Sequence, residues 1–255
     1  MLTAITRKIS RSMANCELTY LERQPIDIAL ARAQHSQYES ALVELGCRVI
    51  SLPEQPDLPD SVFVEDTAIV LDEVAIITRP GAESRRGETG SVAQALSAYR
   101  ELRCVRAPAS VDGGDVLRLG RTLFIGQSGR SNAAAVDQIR SLLAAFGYEV
   151  RPAALAGGCL HLKSAVTQIA EETLLVNPAW VDAAQFGGMQ SISVDPSEAG
   201  AANALRIGTS LIYPTGFPRT LERLEARGLR PRLVEASETA KAEGAVTCCS
   251  LVFEG

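Results

Sequence analysis

Residues 112–126 read DGGDVLRLGRTLFIG, two short β-prone runs joined by a turn that contains glycine. This pattern predicts a β-hairpin. Similar stretches begin near Phe63, His161 and Ala202, and a half-copy, CSLVF, closes the sequence at residues 249–253. Its missing partner strand is predicted in the N-terminal run LTAIT. Equivalent positions of successive copies lie 39 to 49 residues apart, which indicates a repeat architecture. These positions are Asp66, Asp115, Ser164, Asn203 and Cys249.

A helical stretch and a further strand are predicted after each hairpin. The predicted helices are 26–47, 91–102, 131–146, 179–186 and 219–227, and the predicted strands are 48–52, 104–107, 148–153, 191–194 and 231–235. The repeat unit is therefore β-β-α-β. Five units in a ring, closed by pairing of the N- and C-terminal strands, would make residues 1–255 a single α/β domain. We expect a five-bladed α/β propeller of ββαβ repeats with pseudo-five-fold symmetry.

The ring predicts where a functional site would lie. The first strand of every unit would start near the symmetry axis, at one end of the ring. Residues with chemically active side chains sit at these starts: Glu65, Asp66, Asp112, His161 and Cys248. Although they are scattered in sequence, we expect them to converge in space.

A pair of adjacent cysteines, Cys248 and Cys249, begins the C-terminal half-copy, and the only histidines are His35 and His161. A thiol at a strand start, far in sequence from one candidate histidine, indicates a cysteine nucleophile. Because strand residues alternate faces and Cys249 would lie on an apolar face, we predict Cys248 as the reactive thiol. His161 is its candidate partner through its place in the repeat, whereas His35 is expected on a solvated helix face.

Acidic residues cluster around the same strand starts: Asp60, Glu65, Asp66, Asp112 and Asp115. A guanidinium group matches carboxylates through two parallel hydrogen bonds. A divalent metal is the alternative partner, but hard-metal sites need no thiol. Arg85 and Arg130 would suit an anionic group, so the pattern favours a substrate such as an amino acid with a guanidino side chain.

The composition excludes several function classes. The chain has 255 residues, 46% of them hydrophobic, and a net charge of −5, which indicates a globular protein without a basic nucleic-acid-binding face. No apolar run approaches the roughly 18 residues of a membrane span, and no secretory signal is recognised. The six cysteines lack metal-binding spacing, so we expect reduced thiols in a cytoplasmic protein. Neither nucleic-acid nor membrane partners are expected, and a homodimer is one candidate assembly.

The motifs themselves resemble those of one family. DSVFVED at 60–66, RPGAESRRGE at 79–88, DGGDV at 112–116, LHLK at 160–163 and the terminal Cys248 resemble dimethylarginine dimethylaminohydrolases, in order and over nearly the whole chain. The resemblance implies the guanidine-modifying pentein superfamily, with its five-bladed ββαβ propeller. It also implies hydrolysis without a metal or an organic cofactor.

The resemblance implies a role for each of ten positions. The catalytic residues would be Cys248 as nucleophile, His161 as acid and base, and Asp112 as its acidic partner. The substrate-binding positions would be Glu65 and Asp66 for the guanidino group, Arg85 and Arg130 for the carboxylate, and Asp60 with the backbone carbonyls of Leu18 and Ala242 for the amino group. Leu18 would also lie on a mobile lid.

The implied activity is hydrolysis of Nω,Nω-dimethyl-L-arginine, and of Nω-methyl-L-arginine, to L-citrulline and the corresponding amine through a covalent S-alkylthiouronium intermediate. One alternative is an arginine or agmatine deiminase. Agmatine has no carboxylate, so a role for Arg85 and Arg130 argues against it. A second alternative is a non-catalytic propeller that serves as a binding module.

Overall fold

The computed structural model describes residues 1–255 and contains five three-stranded sheets. The strands are β1 (Leu2–Arg7), β2 (Arg48–Leu52), β3 (Ala68–Val70), β4 (Val74–Ile77), β5 (Glu101–Cys104), β6 (Val116–Leu119), β7 (Thr122–Gly126), β8 (Glu149–Ala153), β9 (Val166–Ala170), β10 (Thr173–Val176), β11 (Gln190–Ser193), β12 (Leu205–Ile207), β13 (Ser210–Pro214), β14 (Arg232–Val234) and β15 (Leu251–Glu254).

Helices of two kinds connect these strands. The α-helices are α1 (Ile28–Glu44), α2 (Thr89–Leu96), α3 (Ala133–Leu143), α4 (Leu162–Ala165), α5 (Pro218–Ala226) and α6 (Ser237–Ala240). Short 3₁₀ helices cover Met13–Asn15, Val64–Thr67, Glu83–Glu88, Gly113–Asp115, Ala183–Phe186 and Ala199–Ala202. None of the helices combines the length and the apolar character needed to cross a bilayer.

Each sheet pairs its first two strands antiparallel and adds the third parallel to the second. Four sheets take consecutive strands, in the orders β3-β4-β5, β6-β7-β8, β11-β10-β9 and β12-β13-β14. The fifth has the order β15-β1-β2, and Leu2 of β1 lies opposite Glu254 of β15. The chain therefore follows the predicted β-β-α-β unit five times, except that the fourth unit has the 3₁₀ helix Ala183–Phe186 in place of an α-helix. Its C-terminal strand completes the N-terminal unit, as predicted.

Successive residues of each middle strand point into different hydrophobic clusters, because strand side chains alternate faces. Each of five clusters draws on two neighbouring sheets, and the five close into a ring. They contain Ile5 with Ala75, Ile76 with Leu123, Phe124 with Leu174, Leu175 with Tyr213, and Ile212 with Ala4. Both faces of every sheet are buried in this way, which explains the apolar character of the middle strands.

The first strands begin later than the sequence pattern predicts. A single helical turn precedes four of them, at Val64–Thr67, Gly113–Asp115, Leu162–Ala165 and Ala199–Ala202. Residues 246–249 likewise form a turn before β15. The prediction that Cys248 and Cys249 lie on a strand, with faces assigned by strand alternation, is therefore wrong. The chemically active residues lie in or beside these turns.

The surroundings of His35 also differ from the prediction. This side chain is buried rather than solvated, because α1 packs against the core shared by the first and last sheets. Its ring lies 5.9 Å from the ring of Tyr38, and Nε2 lies 3.5 Å from Glu39 Oε1. His35 thus belongs to the interior, away from the cavity described below.

Candidate active site

A small cavity opens among the helical turns at one end of the ring. Seven of the ten predicted site residues line it: Asp60, Asp66, Arg85, Arg130, His161, Ala242 and Cys248. Its volume of about 20 Å³ is little more than a water molecule occupies. A substrate as large as an amino acid would therefore require part of the lining to move.

His161 is held at the start of α4 by two aspartates. Asp112, which is fully buried, contacts His161 Nε2 through Oδ2 at 3.1 Å. Asp115 accepts a hydrogen bond from the amide of Leu162 at 2.9 Å, and hydroxyls of Ser128 and Ser131 bind its other oxygen. Asp115 thus fixes the turn that carries His161, while Asp112 orients the ring itself.

The charge around His161 favours its protonated form. Burial by itself would lower the pKa of His161, but the carboxylates of Asp66, Asp112 and Asp115 raise it to about 9. At neutral pH the ring is therefore an imidazolium, which can donate a proton. The nearest oxygen of Asp66 lies 3.9 Å from His161 Nδ1.

Asp66 links His161 to Arg85. Its Oδ2 accepts a hydrogen bond from Arg85 Nη1 at 2.6 Å, and its Oδ1 accepts one from the amide of Gly114 at 2.9 Å. Burial would raise the pKa of Asp66, but the positive charges of His161 and Arg85 lower it to about 2. A side chain on Gly114 would not fit, since a Cβ there would lie 2.6 Å from His161 Nδ1 and 2.8 Å from Asp66 Oδ1.

Arg85 is more fully bonded than the predicted carboxylate-binding role requires. Besides Asp66, it contacts both oxygens of Glu88, at 3.1 and 2.9 Å, and donates to the carbonyls of Asp60 and Phe63. The side chain is buried, with these partners around it. Arg85 lines the cavity, but most of its donors bind other residues of the cavity wall. Glu88 can accept two of these hydrogen bonds because it lies one helical turn further along the chain.

Cys248 is half-buried and faces the cavity, whereas Cys249 is buried in the hydrophobic core. Burial is the largest cause that raises the pKa of Cys248 well above its usual value, and the negative charges of Glu65 and Asp66 raise it further. The free protein therefore holds a neutral thiol in the same cavity as an imidazolium. A turn, and not strand alternation, directs the two cysteines to different surroundings, and the role of Cys248 as the reactive thiol stays a prediction.

Glu65 does not line the cavity that contains Cys248, in contrast to its predicted contact with a guanidino group. Lys163 Nζ donates to its Oε1 at 2.5 Å, and Thr247 Oγ1 donates to its Oε2 at 2.8 Å. These three residues line a separate cavity of about 350 Å³, surrounded by the first strands of the five sheets. Lys163 forms this ion pair with Glu65 because α4 brings the LHLK motif next to the turn that carries Glu65.

Arg130 has an unused donor in the cavity wall. Its Nη2 donates to Thr19 Oγ1 at 2.9 Å, while its buried Nη1 has no hydrogen-bond partner. Of the two predicted carboxylate-binding arginines, Arg130 is thus the one with a free donor. A carboxylate would satisfy this group.

The predicted amino-group site lies where the N-terminal segment meets the C-terminal turn. Asp60 Oδ2 accepts a hydrogen bond from the amide of Glu17 at 3.0 Å, and burial raises the pKa of Asp60. Leu18 follows directly and is half-buried, and Ala242 is buried in the cavity wall. Sequence reasoning missed Glu243, which binds the amides after Leu18. Its position next to Ala242 was the available signal.

Asp66, Asp112 and His161 lie close enough together to hold a cation, their candidate ligand atoms falling within 4.8 Å of one another. Asp66 is already bonded to a guanidinium and Asp112 to an imidazole. Both carboxylates thus already have a positively charged partner within the protein. That the site uses neither metal nor cofactor stays a prediction.

Known proteins resemble the chain over nearly its full length. The model of a family described as "N,N dimethylarginine dimethylhydrolase, eukaryotic" matches residues 10–185. A Streptomyces coelicolor protein named N(G),N(G)-dimethylarginine dimethylaminohydrolase is 39% identical over 249 residues, 97% of this chain and 95% of that protein. A Pseudomonas aeruginosa protein of the same name is 35% identical over 251 residues, 98% of each.

Solved structures resemble the chain in fold as well. A cysteine-to-serine mutant of the Pseudomonas aeruginosa enzyme, complexed with citrulline, superimposes with a TM-score of 0.94 at 34% identity, over 99% of this chain and 100% of that one. The N-terminal domain of ArgZ, a cyanobacterial arginine dihydrolase, gives a TM-score of 0.88 at 21% identity, over 98% and 97% of the two chains. The latter likeness concerns the fold alone.

Proposed function

The chain belongs to the family of dimethylarginine dimethylaminohydrolases, and on that premise we propose that it hydrolyses Nω,Nω-dimethyl-L-arginine to L-citrulline and dimethylamine. Nω-methyl-L-arginine gives citrulline and methylamine in the same way. One observation carries the proposal: a single cavity presents a cysteine thiol, an imidazolium bonded to a buried aspartate, and a second buried carboxylate.

Substrate binding uses the charges that line the cavity. Asp66 is the carboxylate for the guanidinium group, since a carboxylate has about four acceptor positions and the two protein donors leave some free. Arg130 Nη1 meets the substrate carboxylate, with Arg85 supporting the wall beside it. Asp60 and the carbonyls of Leu18 and Ala242 receive the α-ammonium group.

The bound substrate supplies the positive charge that Cys248 lacks in the free protein. Glu65 and Asp66 disfavour a thiolate, and a guanidinium placed against Asp66 offsets that effect. The thiol releases its proton to solvent, and the thiolate sulfur forms a bond to the guanidinium carbon. Binding thus generates the nucleophile at the moment when it can react.

The first half-reaction expels the amine. The imidazolium of His161 donates its proton to the dimethylated nitrogen, the carbon–nitrogen bond breaks, and dimethylamine leaves. An S-alkylthiouronium group remains on Cys248. Asp112 keeps the ring oriented, and fixed geometry in the cavity contributes much of the rate.

The second half-reaction consumes water. The now neutral His161 accepts a proton from a water molecule as the water oxygen attacks the thiouronium carbon. The carbon–sulfur bond then breaks, the new hydroxyl loses its proton to form the urea carbonyl of citrulline, and Cys248 regains a thiol. His161 is an imidazolium again, ready for the next substrate.

Three guanidines tested separately distinguish this activity from its alternatives. Purified protein would be incubated with asymmetric dimethylarginine, L-arginine and agmatine, and citrulline or carbamoylputrescine would be measured. We expect citrulline from dimethylarginine and little from arginine. Faster turnover of arginine or agmatine would identify a deiminase, and no product from any of the three would favour a binding module.

We propose the cytoplasm as the location, because all six cysteines are free and reduced thiols suit a reducing compartment. A homodimer stays a prediction that light scattering on the purified protein would test.

A further inference from the structure

The carboxylate of Glu243 binds three consecutive backbone amides. Thr19 donates to Oε2 at 2.9 Å, and Tyr20 and Leu21 donate to Oε1 at 2.5 and 2.7 Å. The chain bends over residues 19–21, which lets the three N–H groups converge. Hydrogen bonds to an ionised acceptor are stronger than those between neutral groups. One side chain therefore fixes the backbone of the whole bend.

These bonds also set the direction of the Leu18 carbonyl. The peptide group between Leu18 and Thr19 is planar and trans, so its C=O points opposite to its N–H. With the N–H of Thr19 directed at Glu243, the Leu18 oxygen must point away from that carboxylate. The orientation of Leu18, a predicted contact of the substrate's amino group, thus depends on Glu243.

The second predicted carbonyl, that of Ala242, adjoins Glu243 in the chain. Glu243 has φ of +57°, the one non-glycine residue with a positive φ in the structure. Such backbone is unfavourable for a residue with a side chain and needs support from its surroundings. The hydrogen bonds from the three amides provide that support. The positions of the Leu18 and Ala242 carbonyls therefore both depend on Glu243.

We propose that Glu243 is a positioning residue that latches the segment Glu17–Leu21 over the cavity and aligns the carbonyls of Leu18 and Ala242 for the substrate's α-ammonium group. This rests on the proposed function. The latch lies at the surface, where water competes for each of its hydrogen bonds. It can therefore open, as the small volume of the cavity requires.

Arg130 ties the same segment to the carboxylate site. Its Nη2 holds Thr19 Oγ1 while its Nη1 is free for a substrate carboxylate. On the other side, Ser84 donates to Glu17 Oε1 at 2.5 Å. A substrate with both groups therefore stabilises the closed segment twice, through its α-ammonium group at the Leu18 carbonyl and through its carboxylate at Arg130. A substrate without the amino group makes only the contact with Arg130 and does not depend on the latch.

The test compares Glu243→Gln and Glu243→Ala with Glu235→Gln. Glu235 lines the neighbouring groove with Glu243, but its carboxylate binds Thr215 and no amide of the segment. Hydrogen exchange of the amides of residues 19–21 would be measured in the free protein. KM and kcat would be measured for dimethylarginine and for its analogue without the α-amino group.

We expect exchange of these three amides to accelerate about tenfold in Glu243→Ala, less in Glu243→Gln, and not at all in Glu235→Gln. KM for dimethylarginine should rise about tenfold with kcat within about twofold, and KM for the deaminated analogue should not change.

Unchanged exchange in Glu243→Ala would overturn the latch. An equal rise of KM for both substrates would overturn the alignment of the carbonyls. Failure of the proposed function is distinguishable from both, since it would appear as an inactive unmodified protein, and the exchange measurement does not depend on turnover.

Discussion

The protonation of His161 gives a direct test of the site's electrostatics. Replacing Asp66 by asparagine removes a negative charge 3.9 Å from His161 Nδ1 while keeping the size of the side chain. Asp112 and Asp115 remain in place, so the ring keeps its hydrogen bond and its supporting turn. We therefore expect the pKa of His161 to fall without loss of the fold.

The distance sets the size of the effect. Two unit charges 3.9 Å apart attract by about 4 kcal/mol at an effective dielectric constant of about 20, which corresponds to about 3 pKa units. Arg85 already shares the Asp66 carboxylate at 2.6 Å, so part of this attraction is compensated. We predict a fall of about 2 units, from about 9 in the unmodified protein.

Nuclear magnetic resonance can follow this titration directly, because the chain contains only two histidines. His35 lies beside Glu39 and outside the cavity that Asp66 lines, so its imidazole signal should be unaffected by Asp66→Asn. Glu39→Gln is the matched control, which should leave the His161 signal in place. A pKa of His161 near 6.5 in the unmodified protein, or one that Asp66→Asn does not lower, would show that Asp66 does not stabilise the imidazolium.

The same geometry makes Gly114, the thiol of Cys248 and the pH dependence of stability open to measurement. Gly114→Ala would press a Cβ against His161 Nδ1 and Asp66 Oδ1, so we expect kcat to fall about 100-fold with an unchanged circular dichroism spectrum; normal activity would contradict the close approach. Iodoacetamide should label Cys248 slowly at neutral pH and faster as pH rises, because its pKa is raised, while a cationic haloacetamidine should react readily at neutral pH; equal rates would argue against a neutral thiol beside carboxylates. The pKa of His161 is higher in the folded protein than in the unfolded chain, so protonation of His161 stabilises the fold. This stabilisation, about 3 kcal/mol in the free energy of unfolding, is fully present below pH 6.5 and is lost as pH rises to about 9. Denaturant titrations of the unmodified protein and of His161→Gln should therefore converge over that interval.

The sequence predicted the five repeats because each middle strand is a short apolar run with a turn before it. Helix α1, whose apolar residues recur at a helical period, and strand β2 also fall close to their predicted positions. The single helical turns before the first strands escaped prediction, since three or four residues are too few to show a helical period. Those turns carry the candidate site. The convergence of Asp66, His161 and Cys248 on one cavity was predicted, but the local backbone and the separate cavity of Glu65 were not.

The pairing of charges within the site lay beyond the sequence. Glu65 and Asp66 are adjacent, yet one binds Lys163 and the other Arg85. Which of them faces the thiol cavity depends on how two turns from different sheets meet. Likewise, the burial of His35 follows from the packing of α1 against two sheets. The sequence did not show this burial, because the neighbours of His35 on its helix face are charged.

Two adjacent thiols allow a direct test of whether Cys248 is the nucleophile. Citrulline formation from Nω,Nω-dimethyl-L-arginine would be measured for Cys248→Ser and Cys249→Ser, each checked for unchanged fold. Cys248 faces the cavity, while Cys249 lies in the core with Ala245 O as the acceptor of its thiol. We expect no turnover for Cys248→Ser and nearly full turnover for Cys249→Ser. Full activity in Cys248→Ser would show that Cys248 is not the nucleophile.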